Sequence, residues 1–260
     1  TKTEYINLKN IINDIEIIEG DILDESFLNK TMSLIRPNEV YNCSAQSQVR
    51  KSFDIPIYTG DVTGLGVLRV LEAIRNSGFN SKFLQFSTSE LFGNSKEYPQ
   101  NENTPFNPRS PYGIAKLYGF HIVKNYRESY NMFACNAILF NNESPRRGEQ
   151  FVTRKIVKGA VEILKNKIKY LELGNLDSKR DWTHVKDTIE GVYKQIQHHE
   201  PDEFVFASGE THTIQEFLEK VFNYLGLNHK EYIKINPTLF RPAEVDVLCG
   251  DASKAKKILG

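Results

Sequence analysis

The sequence has three cysteines, no apolar run long enough to span a bilayer, no excess of either charge, and no glycine before position 20. Each shortage excludes something. Cys43, Cys135 and Cys249 are odd in number and lack metal-ligand spacing, so neither a disulfide framework nor a metal site is expected. Cys43 and Cys135 lie in or beside apolar runs and read as buried free thiols, which fits a reducing, cytosolic setting. Nothing approaches the roughly 18–20 consecutive apolar residues of a membrane span, and no signal-peptide pattern opens the chain. No membrane partner is expected.

Charge is balanced, with 33 Lys and Arg against 33 Asp and Glu. A nucleic-acid partner would need a basic excess or a basic face, and neither is present. An anionic ligand must therefore be met by local arginines and not by a global field.

The missing early glycine bears on cofactors. A dinucleotide-binding α/β protein normally opens with a strand and a Gly-rich turn whose N–H groups meet the pyrophosphate at a helix N-terminus. Residues 1–18 contain no such unit. Two readings stay open: residues upstream belong to the protein, or it binds no dinucleotide.

At 260 residues the chain suffices for one large α/β domain, or a domain with a smaller lobe. Apolar runs at 15–18, 39–43, 82–87 and 134–140 read as strands, separated by helical patterns at 25–35, 61–75 and 112–128. That alternation predicts a Rossmann-type parallel sheet with helices on both faces. In the helix at 61–75, Leu65, Leu68, Leu71 and Ile74 fall on one face, and Gly78 closes it. Beyond residue 140 the alternation loosens into helices at 151–166, 185–198 and 214–225 with strands at 168–173 and 204–207. Residues 1–140 are expected to form the dinucleotide-side domain. Residues 141–260 are expected to form mainly a substrate lobe of mixed α/β structure, with 185–207 returning to the sheet.

Tyr112 and Lys116 stand four apart on a predicted helix and so share a face. An ammonium beside a phenol favours phenolate and lowers a pKa otherwise near 10, which suits tyrosine to general-base work. Such pairs are common in helices, and context decides. The helix follows a Ser110-Pro111 start signal, and about two dozen residues upstream a strand ends in Ser87-Thr88-Ser89-Glu90. Ligands of open α/β sheets bind at such strand ends. Glu90 lies between an apolar strand and Leu91-Phe92-Gly93, so it is expected to be partly buried. Burial is costly for a carboxylate unless it is paired or exchanges protons. The bland alternative is a turn cap, or a pair with Arg109.

Thr88, Tyr112 and Lys116 together resemble the Ser/Thr–Tyr–Lys triad of the extended short-chain dehydrogenase/reductases. Within that class four stretches resemble the GDP-mannose 4,6-dehydratases: 87–93 (STSELFG), 142–148 (NESPRRG), 151–155 (FVTRK) and 240–245 (FRPAEV). The resemblance implies a lyase that takes GDP-mannose to GDP-4-keto-6-deoxymannose. Such an enzyme oxidises C4, eliminates water across C5 and C6, and returns the hydride to C6 of the sugar from NADP. By the resemblance, Tyr112 with Lys116 takes the 4-hydroxyl proton, Thr88 steadies the oxygen at C4, and Glu90 takes the C5 proton and protonates the departing 6-hydroxyl. An epimerase or reductase needs no such carboxylate.

The resemblance also implies ligand contacts. Asp21, Ile22, Cys43, Ser44, Ala45, Gln46, Ser47, Tyr58, Lys116, Asn142 and Arg147 would meet the cofactor. Ser89, Asn141, Val152, Lys155, Arg180, Arg241 and Glu244 would meet the GDP-sugar. Without it, Arg180 reads as a surface ion pair and Lys155 as a solvated helix face. Asn142 and Gln48 stand where the family usually has histidine, and the connection 227–236 is shorter than usual. Arg147 is expected near a subunit interface, which implies a homo-oligomer, a dimer or tetramer. The competing expectation is a silent sugar-nucleotide-binding relative; retention of Thr88, Glu90, Tyr112 and Lys116 together speaks against it.

Overall fold

The computed structural model describes residues 2–260. Helix α1 (Glu25–Ile35) begins where the Asp24 carboxylate accepts the Phe27 backbone N–H at 2.9 Å. Such a cap contributes about 1 kcal/mol. Strand β1 (Glu39–Asn42) leads through the short helices α2 (Val49–Ser52) and α3 (Pro56–Gly60) into a π-helical turn, Asp61–Leu65. Helix α4 (Gly66–Ser77) continues from that turn and ends at Gly78, φ 65°. Nine residues turn an α-helix through about 900°, so Leu65 and Ile74 lie on opposite sides of it. The buried stripe of α4 is Val67, Val70, Leu71 and Ile74, while Leu65 is 42% exposed and does not belong to it.

Strand β2 (Lys82–Phe86) is followed by α5 (Pro111–Tyr130), the longest helix among the described residues, and by β3 (Ala134–Leu139). Ser110 caps α5 by accepting the Gly113 N–H at 3.0 Å, and Pro111 sits in its first turn, where a missing N–H costs nothing. The second half comprises β4 (Asn141–Glu143), α6 (Val152–Leu164), β5 (Leu171–Leu173), β6 (Lys179–Arg180) and β7 (Trp182–His184). It continues with α7 (Val185–Gln197), β8 (Phe204–Phe206), β9 (His212–Thr213), α8 (Ile214–Tyr224) and α9 (His229–Tyr232). Strands β10 (Ile233–Ile235) and β11 (Val247–Leu248) and helix α10 (Ser253–Leu259) complete it.

The main sheet runs β1-β2-β3-β8, every pair parallel. All six residues of β3 are buried, as a central strand covered on both faces requires. Alternation along β2 and β3 divides the core. Phe83 and Ala134 pack with α1, α4 and α5, whereas Leu84 and Cys135 pack with Val192 and Ile196 of α7 and Ala255 of α10. Each fully buried large side chain contributes about 1.5–3 kcal/mol. A separate core joins Ile156, Ala160 and Ile163 of α6 to Leu171 and Leu173 of β5 and Leu218 and Phe222 of α8. Around it lie three small sheets, β5–β10, β4–β7 and β11-β6-β9.

Two expectations fail here. Residues 15–18 form no strand: Ile15, Ile17 and Ile18 are exposed, and among the described residues no strand lies on the outer side of β1 to complete a ladder. An unpaired strand has no cross-strand hydrogen bonds to hold it. Cys43 is exposed because β1 ends at Asn42, one residue before it; Cys135 is buried as expected, Cys249 is partly exposed, and all three are free. No helix among the described residues is long and apolar enough to cross a membrane.

Candidate active site

Strand β2 ends at Phe86, and the next four residues turn sharply into the cavity. Thr88 is extended, φ −155°, and its Oγ1 accepts the Glu90 N–H at 3.3 Å, which starts a tight 3-10 turn at Ser89–Leu91. The turn points the Glu90 side chain inward, leaving it 7% exposed. Two glycines fix its surroundings. Gly93 has φ 52°, and a Cβ there would sit 1.8 Å from the Asn107 carbonyl oxygen. A Cβ on Gly113 would lie 3.0 Å from both the Glu90 carbonyl oxygen and Pro108 Cβ. The first turn of α5 therefore rests directly on the Glu90 backbone, and this places Tyr112 beside Glu90 and Thr88.

Tyr112 and Lys116 are both buried, on one face of α5, with the Lys116 ammonium 5.9 Å from the Tyr112 ring centre. Lys116 Nζ donates to the Phe86 carbonyl oxygen at 2.6 Å, which ties the helix to the end of β2. The expected depression of the Tyr112 phenol is reversed. Burial pushes it up to about 12, and Glu90 adds to the rise, outweighing the Thr88 hydroxyl and Arg147, which pull it down. Lys116, its ammonium 5.9 Å from the ring centre, does not offset this, and burial brings that ammonium down to about 8. Desolvation wins over the local charge.

Glu90 is paired, and its partner is Arg241, not Arg109. Arg241 Nη1 donates to Glu90 Oε1 at 3.0 Å, and Glu90 Oε2 is buried with no hydrogen-bond partner. Arg241 Nε also lies 3.6 Å from Glu244 Oε1, which accepts Arg180 Nη2 at 3.3 Å. Arg180 is only 5% exposed, so the surface-pair reading fails; its second donor goes to the Lys179 carbonyl oxygen at 2.9 Å. Burial and the neighbouring Arg241 weaken the hold of Arg180 on its charge. Arg241 is likewise opposed by burial, but Glu90 and Glu244 outweigh that and raise it.

These groups open on one cavity of about 640 Å³ between the main sheet and the smaller ones. Its wall holds Thr88, Ser89, Glu90, Tyr112 and Lys116 on one side and Asn141, Val152, Lys155, Arg180, Arg241 and Glu244 on the other. Lys155 is half-buried, with burial lowering its ammonium against the attraction of Glu172, so it is not a solvated face. Cys43, Ala45 and Ser47 line the part near β1, and Asn142 and Arg147 line the part near β4. Asn142 Oδ1 is taken by the hydroxyls of Thr183 and Thr188, at 2.8 and 2.5 Å. Arg147 lies 3.7 Å over the Phe151 ring and 3.5 Å from Glu143.

Five expected contacts lie outside this cavity. Asp21 caps a turn by accepting the Leu23 N–H at 3.0 Å, and Ile22 packs on the α1–α4 core. The Ser44 N–H donates to Asn42 Oδ1 at the end of β1, and the Gln46 N–H donates to Thr63 Oγ1 in the π turn. Tyr58 is 52% exposed on α3.

Other wall residues went unassigned from the sequence: Ser87, Glu143, Gln150, Gly174, Asn175 and Leu239 among them. Ser87 and Glu143 stand inside motifs already singled out, so that signal was available; Gly174 and Leu239 come together only through the pairing of β5 with β10. Asp181 was also missed. Its buried carboxylate accepts the N–H groups of Ser208, Gly209 and Gly250 and the Ser208 hydroxyl, and so fixes the strand that carries Arg180.

A parallel sheet covered on both faces, with a buried Tyr–Lys pair packed against a hydroxyl and carboxylate at the end of β2, defines an extended short-chain dehydrogenase/reductase. Solved structures share this fold. A dTDP-glucose 4,6-dehydratase from Streptomyces venezuelae aligns over 98% of the chain and 77% of its own, with TM-score 0.88 and 19% identity. RMD from Pseudomonas aeruginosa, solved with NADPH, aligns over 98% and 88%, with TM-score 0.85 and 22% identity. The chain belongs to the GDP-mannose 4,6-dehydratase family, whose model matches residues 2–260.

Curated GDP-mannose 4,6-dehydratases agree. The Drosophila melanogaster protein is 51% identical over 92% of this chain, the Dictyostelium discoideum protein 48% over 92%, and the human protein 46% over 96%. The matches span 66%, 73% and 72% of those proteins.

Proposed function

We propose that this chain carries the catalytic centre of an NADP-dependent hydro-lyase that converts GDP-mannose to GDP-4-keto-6-deoxymannose. One observation carries the reading: a buried carboxylate, Glu90, with one oxygen free, set beside the Tyr112 phenol. An epimerase or reductase has no use for it.

The donor set fits a dinucleotide. Ser87 Oγ is buried in the cavity wall with no hydrogen-bond partner, and Lys116, Cys43, Ala45 and Ser47 open on the same space. Those residues, with Arg147 and Asn142, would hold the cofactor, and Asp21, Ile22, Ser44, Gln46 and Tyr58 would extend the contact beyond the cavity. The bound group would supply the reversible removal of the hydrogen on C4.

Tyr112, once ionised against the desolvation that raises it, accepts the 4-hydroxyl proton while Thr88 donates a hydrogen bond to the oxygen on which charge develops. The C4 ketone acidifies the C5 hydrogen, which Glu90 removes as a proton. Glu90 then delivers that proton to the departing 6-hydroxyl, so water leaves and the carboxylate is restored. The hydride taken from C4 would return to C6, and the proton held by Tyr112 replaces the one lost from C5. Arg180 and Arg241 bind the diphosphate, because a planar guanidinium grips two oxygens at once. Ser89, Asn141, Val152, Lys155 and Glu244 complete the GDP-sugar site.

In this reading residues 1–140 serve the dinucleotide and 141–260 mainly the sugar nucleotide, with 185–207 contributing to the sheet. A homo-oligomer is supported by Ile57, Tyr58, Leu65, Ile114 and Tyr118, exposed on α3, the π turn and α5, three elements packed together. Three free thiols fit a cytosolic protein. Incubating the protein with GDP-mannose and catalytic NADP should yield the 4-keto-6-deoxy sugar nucleotide. Glu90→Gln should abolish it with NADP binding intact; unchanged turnover in that variant would sink the role of Glu90.

A further inference from the structure

The charged groups around Glu90 form one chain, and its arithmetic has a consequence for substrate binding. Arg180 meets Glu244 at 3.3 Å, Glu244 meets Arg241 at 3.6 Å, and Arg241 meets Glu90 at 3.0 Å. Two guanidinium groups face two carboxylates, so the cluster is neutral. It is largely buried: Arg180 and Glu90 are 5% and 7% exposed, and the side chains of Arg241 and Glu244 are 23% exposed where they open on the cavity. Tyr112 faces Glu90 from α5, Arg180 faces it from β6, and Arg241 and Glu244 face it from the loop before β11.

A diphosphate entering this cluster adds negative charge where none is uncompensated. Lys155 on the same wall meets part of that charge, and the two guanidinium groups turn to the rest only by loosening a pair they already make. Glu244 is held twice more, by Arg180 and by the Val245 N–H at 3.2 Å. Glu90 Oε1 has Arg241 as its side-chain partner, and Glu90 Oε2 has none. Arg241 is the member that meets both carboxylates: its contact with Glu244 is the looser, at 3.6 Å, but losing Arg241 leaves Glu244 held by Arg180 and leaves Glu90 with no hydrogen-bonded cation.

We infer that Arg241 is a positioning residue shared between two acceptors: it holds Glu90 before substrate arrives, and the diphosphate of the substrate draws it away. Glu90 is then left without its cation, with both oxygens available, at the moment a hexose is beside it. Diphosphate binding and release of the catalytic carboxylate are thus one event. This rests on the GDP-sugar reading of the cavity.

The arrangement makes a prediction opposite to that for an ordinary binding-site carboxylate. Glu90 competes with the diphosphate for Arg241, so removing its charge should tighten binding of a diphosphate. The probe is GDP, which carries the diphosphate but no hexose, measured by calorimetry on the NADP-loaded protein. Wild type, Glu90→Gln, Arg241→Gln and the double variant complete a cycle. Glu90→Gln should bind GDP about 5- to 30-fold more tightly than wild type, the size of a typical coupling between sites. In the Arg241→Gln background the same change should leave the affinity unaltered. Equal or weaker GDP binding by Glu90→Gln, or an equal gain in both backgrounds, would overturn the sharing. If GDP binds none of the four, the GDP-sugar reading falls and takes this inference with it.

Discussion

The two walls of the cavity are built on different terms. On the sheet side, Thr88, Glu90, Tyr112 and Lys116 come from the end of β2 and the first turns of α5, and Lys116 bonds the Phe86 carbonyl 30 residues away. On the lobe side, Arg180 and Glu244 are 64 residues apart, and the contact of Arg241 with Glu90 spans 151. The sheet wall holds its groups by packing, at the cost of desolvating them: burial pushes Tyr112 up to about 12 and Lys116 down to about 8. The lobe wall holds its groups by pairing opposite charges. In the proposed reaction the chemistry falls mainly to the first wall and recognition to the second.

That division is open to test, and the largest effect lies on the sheet wall. Tyr112→Phe should lower kcat by about 10²–10⁴-fold, the range for losing a general base, with little change in KM. A rise in KM with kcat preserved would move Tyr112 to the recognition side. On the lobe wall, Asp181→Asn removes an acceptor of three backbone N–H groups that fix the strand of Arg180. KM for GDP-mannose should rise about 10-fold and kcat much less, since a binding interaction is lost. An effect on kcat alone would break the comparison.

Lys116 separates stability from activity. Its pKa in the fold, about 8, lies below its ordinary 10.5, so the unfolded chain binds the proton more tightly. The resulting cost to folding is present in full below about pH 8 and shrinks as pH rises toward 10.5. Lys116→Met should therefore lose turnover and still gain about 1 kcal/mol at pH 7, desolvation relieved less the lost bond to Phe86. Thermal melts of the two proteins should cross between about pH 8.5 and 9, with the variant the less stable by about pH 9.5; a less stable variant at pH 7 would show that Lys116 is held by favourable contacts and not against its solvation. The smallest expected effect is on assembly. Ile114→Glu, on the exposed face of α5, should lower the sedimentation coefficient while melting within about 0.5 kcal/mol of wild type, as surface changes do.

Much of the sheet wall was legible beforehand because it obeys local rules. The Ser110-Pro111 start placed α5, the i, i+4 spacing put Tyr112 and Lys116 together, and the hydroxyl-rich end of β2 marked the ligand side of the sheet. Failures occurred mostly where a neighbour decides the outcome. Residues 15–18 had the composition of a strand but found no ladder partner. Leu65 failed for a local reason, since successive steps of three drift around the helix and put it opposite Ile74.

By itself, then, the sequence determined the parallel α/β class, the order of the elements and the gathering of Thr88, Glu90, Tyr112 and Lys116, because hydrophobic period, capping and helical spacing act over a few residues. Tertiary structure alone decided which carboxylate Arg241 holds, that Arg180 is buried, and that Tyr112 has a raised pKa where its lysine suggested a lowered one. Ion pairing and desolvation depend on what surrounds a group in space, and no local pattern encodes a contact made across 151 residues.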